Sequence, residues 1–278
     1  MKRLLSALLL SALLPATAMA APDTKPTPQM IAKAQAKKAG PEAARLPVLC
    51  YHEIAPTATT PLTTPVKDFA LHMEHLRKEG YTPVTLEEAR LFYWGAKKLP
   101  GKPILITFDD GYEGVYKYAV PILQRYKFKS VLFLVVGRVG QAKPIAHLTW
   151  DELKKMKDSG LWEFGSHTYD LHVYLRERLQ MGGIYPNQLL ADLKKSRAVL
   201  KKKLGVDCTS FAWPYGRYDE ATIQLAARAG FNMQFTIDFG ATKTYEGSIR
   251  VKRYIMMEDD SPIQTFKSRL AMCQKGTN

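Results

Sequence analysis

Short apolar, β-branched runs alternate along this chain with segments whose apolar side chains recur every three or four residues. Residues 46–51 read as a buried strand. Residues 66–79 read as a helix, with Phe69, Met73 and Leu76 at helical spacing and Gly80 as its stop. Thr85 and Glu88 have the spacing of a capping box and open a helix toward Trp94. An apolar run over 102–108 predicts a central strand, followed by a helix over 113–126 kinked at Pro121 and a strand over 130–136. Thr149 and Glu152 open a further helix that Gly160 closes, and 162–165 is a short strand. A long amphipathic helix over 187–204, a strand through Phe211 and Ala212 and a helix over 219–229 come next. Strands over 233–237 and 250–256 and a helix over 262–272 complete the pattern.

Repeated strand–helix units imply a parallel sheet with right-handed crossovers. Six or seven such strands predict an α/β fold, a distorted and incomplete (β/α) barrel, with an open doubly wound sheet as the alternative. No internal repeat and no phosphate-loop or dinucleotide glycine motif is present.

The first twenty residues add a compartment. Lys2 and Arg3 precede an apolar stretch over 4–14 and the small-x-small pattern Ala18, Met19, Ala20, the plan of a secretory signal peptide. Residues 21–45 hold almost no large apolar side chains and read as a flexible arm, so one catalytic domain is expected over 46–278. The mature chain is then periplasmic or secreted. Cys50, Cys208 and Cys273 lack metal-type spacing and allow at most one internal disulfide.

Removing Lys2 and Arg3 lowers the formal charge from +14 to +12, which suits anionic surroundings such as lipid headgroups or an acidic wall polymer. Lys194, Lys195, Lys201, Lys202 and Lys203 lie on one predicted helix, so a solvated face accounts for much of the excess. Export and the lack of a binding motif argue against nucleic acid.

Chemistry concentrates at three strand ends. Asp109, Asp110 and Gly111 follow the central strand, where α/β folds keep their active sites. His167 and His172 follow another strand, five residues apart, too far for one helix face. Asp110, His167 and His172 make a two-nitrogen, one-oxygen set that suits zinc, with nickel or cobalt as alternatives. Asp109 is then free to take a proton from water. No histidine lies beyond position 172, so an imidazole acid must come from earlier in the chain, and His52, at the end of the first strand, is the candidate. Trp213, Pro214 and Tyr215 form a strand-end turn that offers a stacking ring and a backbone amide for a developing oxyanion.

These residues resemble the polysaccharide deacetylase superfamily, the NodB-homology domain of carbohydrate esterase family four. Residues 107–111 (Thr-Phe-Asp-Asp-Gly) look like its first motif, 166–172 like its second and 213–216 like its third. The likeness spans nearly all of 46–260. The usual second motif spaces its histidines by four, and the usual catalytic histidine lies near the C-terminus, where this chain has none. Both departures are shared by the subgroup that deacetylates poly-β-1,6-N-acetyl-D-glucosamine in biofilm matrices, to whose early Tyr-His motif residues 50–53 are similar. Residues 235–238 and 250–253 also look like that subgroup's closing strands. The resemblance implies Asp109 as base, Asp110, His167 and His172 as ligands and His52 as acid. The arginine of the usual third motif is absent, with Ala212 and Trp213 in its region.

The expected activity is metal-dependent N-deacetylation of an N-acetylglucosamine polysaccharide by a monomer. Peptidoglycan or chitooligosaccharide are alternative substrates. A glycosidase and a non-catalytic polysaccharide-binding protein are the rival classes. Peripheral contact with membrane or wall through the basic surface is compatible with each.

Overall fold

In the computed structural model, which describes residues 44–173 and 186–275, the strands that carry the site are eight. They are β1 (Val48–Tyr51), β2 (Lys102–Phe108), β3 (Ser130–Leu134), β4 (Trp162–Ser166), β5 (Ser210–Ala212), β6 (Met233–Phe235), β7 (Ile249–Val251) and β8 (Tyr254–Ile255). Among the described residues these helices pack around them: α1 (Val66–Lys78), α2 (Leu86–Tyr93), α3 (Val120–Tyr126), α4 (Trp150–Asp158), α5 (Pro186–Leu204), α6 (Glu220–Arg228) and α7 (Ile263–Lys275). The strands pair in parallel in the order β8-β1-β2-β3-β4-β5-β6-β7, and Tyr81–Pro83 adds alongside the start of β2.

This is the incomplete barrel expected from the pattern. Its two edges are formed by one stretch of chain. The strand expected over 250–256 is broken in two, with β7 ending at Val251, β8 beginning at Tyr254 and no pairing between them among the described residues. Lys252 and Arg253 step across the seam, and the Arg253 N–H donates to the Asp238 carbonyl at 3.1 Å.

Side-chain alternation sorts the strands into two cores. Val48, Leu105, Val131, Phe133, Ala212, Met233, Phe235 and Val251 face the barrel interior. Phe133 and Phe235 lie on strands that are not neighbours, yet their rings are 5.0 Å apart, a contact made across that interior. Gly165 on β4 makes room for it, since a Cβ there would meet Phe133 Cδ1 at 2.2 Å. The opposite parity, including Leu49, Tyr51, Ile106, Phe108 and Leu132, packs beneath the helices. Leu86, Ala89, Phe92 and Tyr93 of α2 join the inner cluster and plug the end of the barrel where the strands begin.

Helix boundaries follow local chemistry. Capping boxes close at Thr85 with Glu88 and at Thr149 with Glu152, as expected, and a third forms at Asp219 with Thr222. The irregularity expected at Pro121 is a π-helical turn, Val115–Ala119, that runs into α3, because proline offers no N–H to continue the ladder.

The expected signal peptide lies outside the described residues, as does most of the N-terminal arm. The arm's last residue, Arg45, does not belong to a loose segment: Arg45–Leu46 pairs antiparallel with Thr242–Lys243. Cys50, Cys208 and Cys273 are buried free thiols, so no disulfide joins them. The five lysines of α5 are exposed, as a solvated face requires. No helix among the described residues is long and apolar enough to cross a membrane.

Candidate active site

The C-terminal rim of the barrel gathers the candidate residues by strand parity. Cys50 pairs with Thr107 and Tyr51 with Phe108, and the Asp109 N–H donates to the Tyr51 carbonyl at 2.9 Å. Val48, Cys50 and His52 therefore share the inward face with Leu105, Thr107 and Asp109. His167 extends the inward parity of Gly165 on β4. Asp110 would face outward on a regular strand, but its φ of 71°, followed by 85° at Gly111, turns the chain so that both carboxylates reach one cavity. Aspartate tolerates this left-handed region better than most residues. A Cβ at Gly111 would meet Leu134 Cδ2 at 2.6 Å.

Asp110, His167 and His172 meet as expected. Asp110 Oδ1 lies 3.0 Å from His172 Nε2 and 3.6 Å from His167 Nε2, and the three ligand atoms lie within 4.8 Å of one another. The His167 Nδ1–H donates to the Ala212 carbonyl at 2.8 Å, which leaves the Nε2 lone pair toward Asp110. Burial lowers the His167 pKa to about 4, so the ring is a neutral ligand at pH 7. Burial works against ionisation of Asp110, but the adjacent His172, His167 and His52 outweigh it and hold the carboxyl below its ordinary range. Asp110 Oδ1 is nevertheless buried without a well-formed hydrogen bond. Two imidazole nitrogens and an under-satisfied carboxylate oxygen fit a divalent ion.

Asp109 is held differently. Arg253 Nη1 and Nη2 donate to its Oδ1 and Oδ2, each at 2.7 Å, and both side chains are buried. Arg253 is itself fixed by donating from Nε to the Thr236 carbonyl at 2.8 Å and from Nη1 to Thr107 Oγ1 at 3.3 Å. Burial alone would raise the Asp109 pKa, but the guanidinium, with His167 and His52, brings it below the usual carboxylate value. Arg253, which the sequence places only within a closing strand, is the residue that fixes Asp109. It supplies, from the barrel seam, the cation missing from the region of Ala212 and Trp213.

His52 lines the same cavity, 7% exposed, and its Nδ1 has no protein partner. Cys50, His52 and Asp109 also cluster within 4.8 Å. They make a poor metal set, because burial raises the Cys50 pKa well above its ordinary value and keeps it a thiol, while Arg253 engages both Asp109 oxygens. His72 is a packing residue away from this cavity, stacked 4.0 Å from Phe266 and bonded to the Ser261 carbonyl.

The turn after β5 departs from expectation at two positions. Trp213 is fully buried, with its Nε1–H donated to Gln234 Oε1 at 3.1 Å, so its ring is a wall and no open stacking platform. Parity explains this, since Phe211 and Trp213 share the face beneath the helices. Pro214 is buried and does not line the cavity. Tyr215, at φ 55° and 37% exposed, is the accessible ring, 4.8 Å from that of His172.

The cavity, about 310 Å³, is lined by His52, Leu62, Asp109, Asp110, Tyr112, His167, His172, Trp213, Tyr215, Arg217, Ile237 and Ile255. A second recess of about 490 Å³ shares Leu62 and Tyr112 with it and continues over Glu53, Ala55, Thr59, Thr60, Pro61 and Ile145.

Comparison with known proteins agrees with this geometry. The family model described as polysaccharide deacetylase matches residues 96–234. Bacillus subtilis YxkH, whose name places it among polysaccharide deacetylases, is 33% identical over 210 residues, covering 76% of this chain and 71% of that protein. The poly-β-1,6-N-acetyl-D-glucosamine N-deacetylase of Staphylococcus aureus strain N315 is 28% identical over 194 residues, 69% of this chain and 67% of its own length. The solved structure of IcaB from Ammonifex degensii superposes with a TM-score of 0.73 at 31% identity, covering 81% of this chain and 97% of that one. With sequence, fold and rim residues in agreement, the chain belongs to the polysaccharide deacetylase family.

Proposed function

We propose that this protein is a metal-dependent N-deacetylase of an exported N-acetylglucosamine polysaccharide, with poly-β-1,6-N-acetyl-D-glucosamine as its substrate. One observation carries the reading: a two-histidine, one-carboxylate set shares a cavity with a second, separately held carboxylate and a histidine. The staphylococcal relative's name supports the choice of polymer.

Asp110, His167 and His172 hold the ion, zinc by donor type, and when bound it supplies Lewis acidity at the acyl oxygen and eases ionisation of water. Asp109 receives the proton of the attacking water. Arg253 keeps that carboxylate ionised and aimed, at the expense of some basicity. His52 delivers a proton to the departing amine, which is a poor leaving group without one. Tyr215 covers the His172 side of the cavity, and its backbone amide is the proposed oxyanion donor. A glycosidase needs carboxylates about 5–9 Å apart on opposite sides of a bond, whereas Asp109 and Asp110 are chain neighbours turned into one cavity.

Acetate release decides the assignment. Zinc-loaded protein is expected to release acetate from poly-β-1,6-N-acetyl-D-glucosamine faster than from peptidoglycan or chitooligosaccharide. Absence of release from all three rejects the deacetylase reading, and a reversed ranking rejects the polymer.

The second recess gives a sugar next to the reacting one a place to lie. Filling it with Thr60→Trp is expected to raise KM for a tetrasaccharide roughly tenfold, about 1.4 kcal/mol, and to leave hydrolysis of a small aryl acetate unchanged. An unaltered tetrasaccharide KM would show that the polymer runs elsewhere.

A further inference from the structure

His167 and His172 bracket a loop that is tied down from both sides. On one side the Val136 N–H donates to the Thr168 carbonyl at 3.1 Å and the Gly137 N–H to the Tyr169 carbonyl at 2.7 Å. Gly137 allows this approach, since a Cβ there would lie 2.7 Å from the Tyr169 oxygen. On the other side stands one carboxylate of α5. Asp192 Oδ1 accepts the Tyr169 N–H at 2.8 Å, and its Oδ2 accepts the N–H groups of Asp170 at 2.8 Å and Leu171 at 3.2 Å.

Three successive amides converging on one anion make a nest, here filled by the protein's own side chain. Thr168 enters it with a φ of 84°, a conformation that an unsupported threonine seldom adopts. The last tied amide belongs to Leu171, immediately before His172. Asp192 touches neither ligand ring, nor does it line the cavity. Its place in the fold is nonetheless the point from which the backbone of the second histidine is hung.

We propose that Asp192 is a positioning residue for the metal centre, holding the five-residue spacing in the one conformation that brings His172 beside Asp110 and His167. The inference rests on the metal-binding reading above. An unanchored loop would have to give up backbone freedom each time the ion bound, and Asp192 removes that cost in advance. Asparagine cannot substitute, because its single acceptor oxygen faces three donors and its amide adds two more.

Zinc affinity, measured by competition with a chromogenic chelator, tests the proposal without reference to turnover. Asp192→Asn is expected to weaken zinc binding 10- to 100-fold, the range found when groups that orient metal ligands are removed. It should also change the visible spectrum of the cobalt-loaded protein, which reports ligand number. Asp192→Glu keeps both oxygens and should recover part of the affinity. Leu200→Ala, a buried cavity mutation on the same helix, should lower stability but leave zinc affinity and the cobalt spectrum as in the parent. Parent-like affinity and spectrum in Asp192→Asn overturn the role of Asp192 alone. A parent protein that binds no zinc overturns the metal reading and this proposal with it. Equal weakening in Leu200→Ala also overturns the proposal, since general loosening would then explain the loss.

Discussion

Asp110→Ala is expected to reduce acetate release by on the order of 10³-fold or more while leaving the fold intact. The substitution removes the only carboxylate of the proposed three-residue ligand set, and an ion held there would supply several kcal/mol of transition-state stabilisation. Folding should survive because Asp110 lines the cavity and its nearest polar neighbour, His172, lines it too, so no contact that holds the hydrophobic core together is lost. Relief of the left-handed strain at position 110 is not gained, since alanine tolerates φ 71° less well than aspartate. A chelator should produce the same loss in the parent protein, and added zinc should reverse it there but not in the variant. Parent-like turnover by Asp110→Ala, or turnover that persists in chelator, would remove the metal from the account.

Arg253→Met is expected to damage stability and activity together. The guanidinium and Asp109 are both fully enclosed, and removing one partner of such a pair costs about 3–5 kcal/mol because the other is left as an unpaired buried charge. Without Arg253 the burial of Asp109 is opposed less, so its pKa rises and the base is increasingly protonated at neutral pH. Arg253→Lys should fall between, since an ammonium cannot engage both oxygens at once. The double variant Arg253→Met with Asp109→Asn should regain much of the lost stability in urea unfolding and none of the activity. If Arg253→Met alone unfolds at the parent's midpoint, the pair is not the anchor described above.

The barrel, its helices and the clustering of the candidate ligands were legible because they depend on local pattern. Parity along 48–52 and 105–109 is enough to put His52 and Asp109 on one inward face, and the run of 163, 165 and 167 adds His167. The same rule applied to 211–213 puts Trp213 with Phe211, away from the interior. The indole's chemistry suits stacking on a sugar, but its parity decides where it lies. Arg253 was harder. Residues 250–256 look like one strand, and the break appears only when the sheet has curved far enough for its edges to face each other. A signal was nonetheless present in parity: Arg253 stands two residues beyond Val251, at the phase of the inward face, whereas Arg250 and Lys252 do not, and an arginine buried there requires an anion. Asp192 left less trace, because its partners are backbone amides, which have no signature in side-chain type.

The seam also sets an order of events. The proposed acid, base and ligands all lie at or before residue 172, but the counter-ion of Asp109 is Arg253, 144 residues further along the chain than Asp109. A nascent or truncated chain that lacks the last strands would therefore carry every candidate reacting group and still lack the guanidinium that pairs with Asp109. On the proposed mechanism, competence is expected to arrive only with completion of the fold.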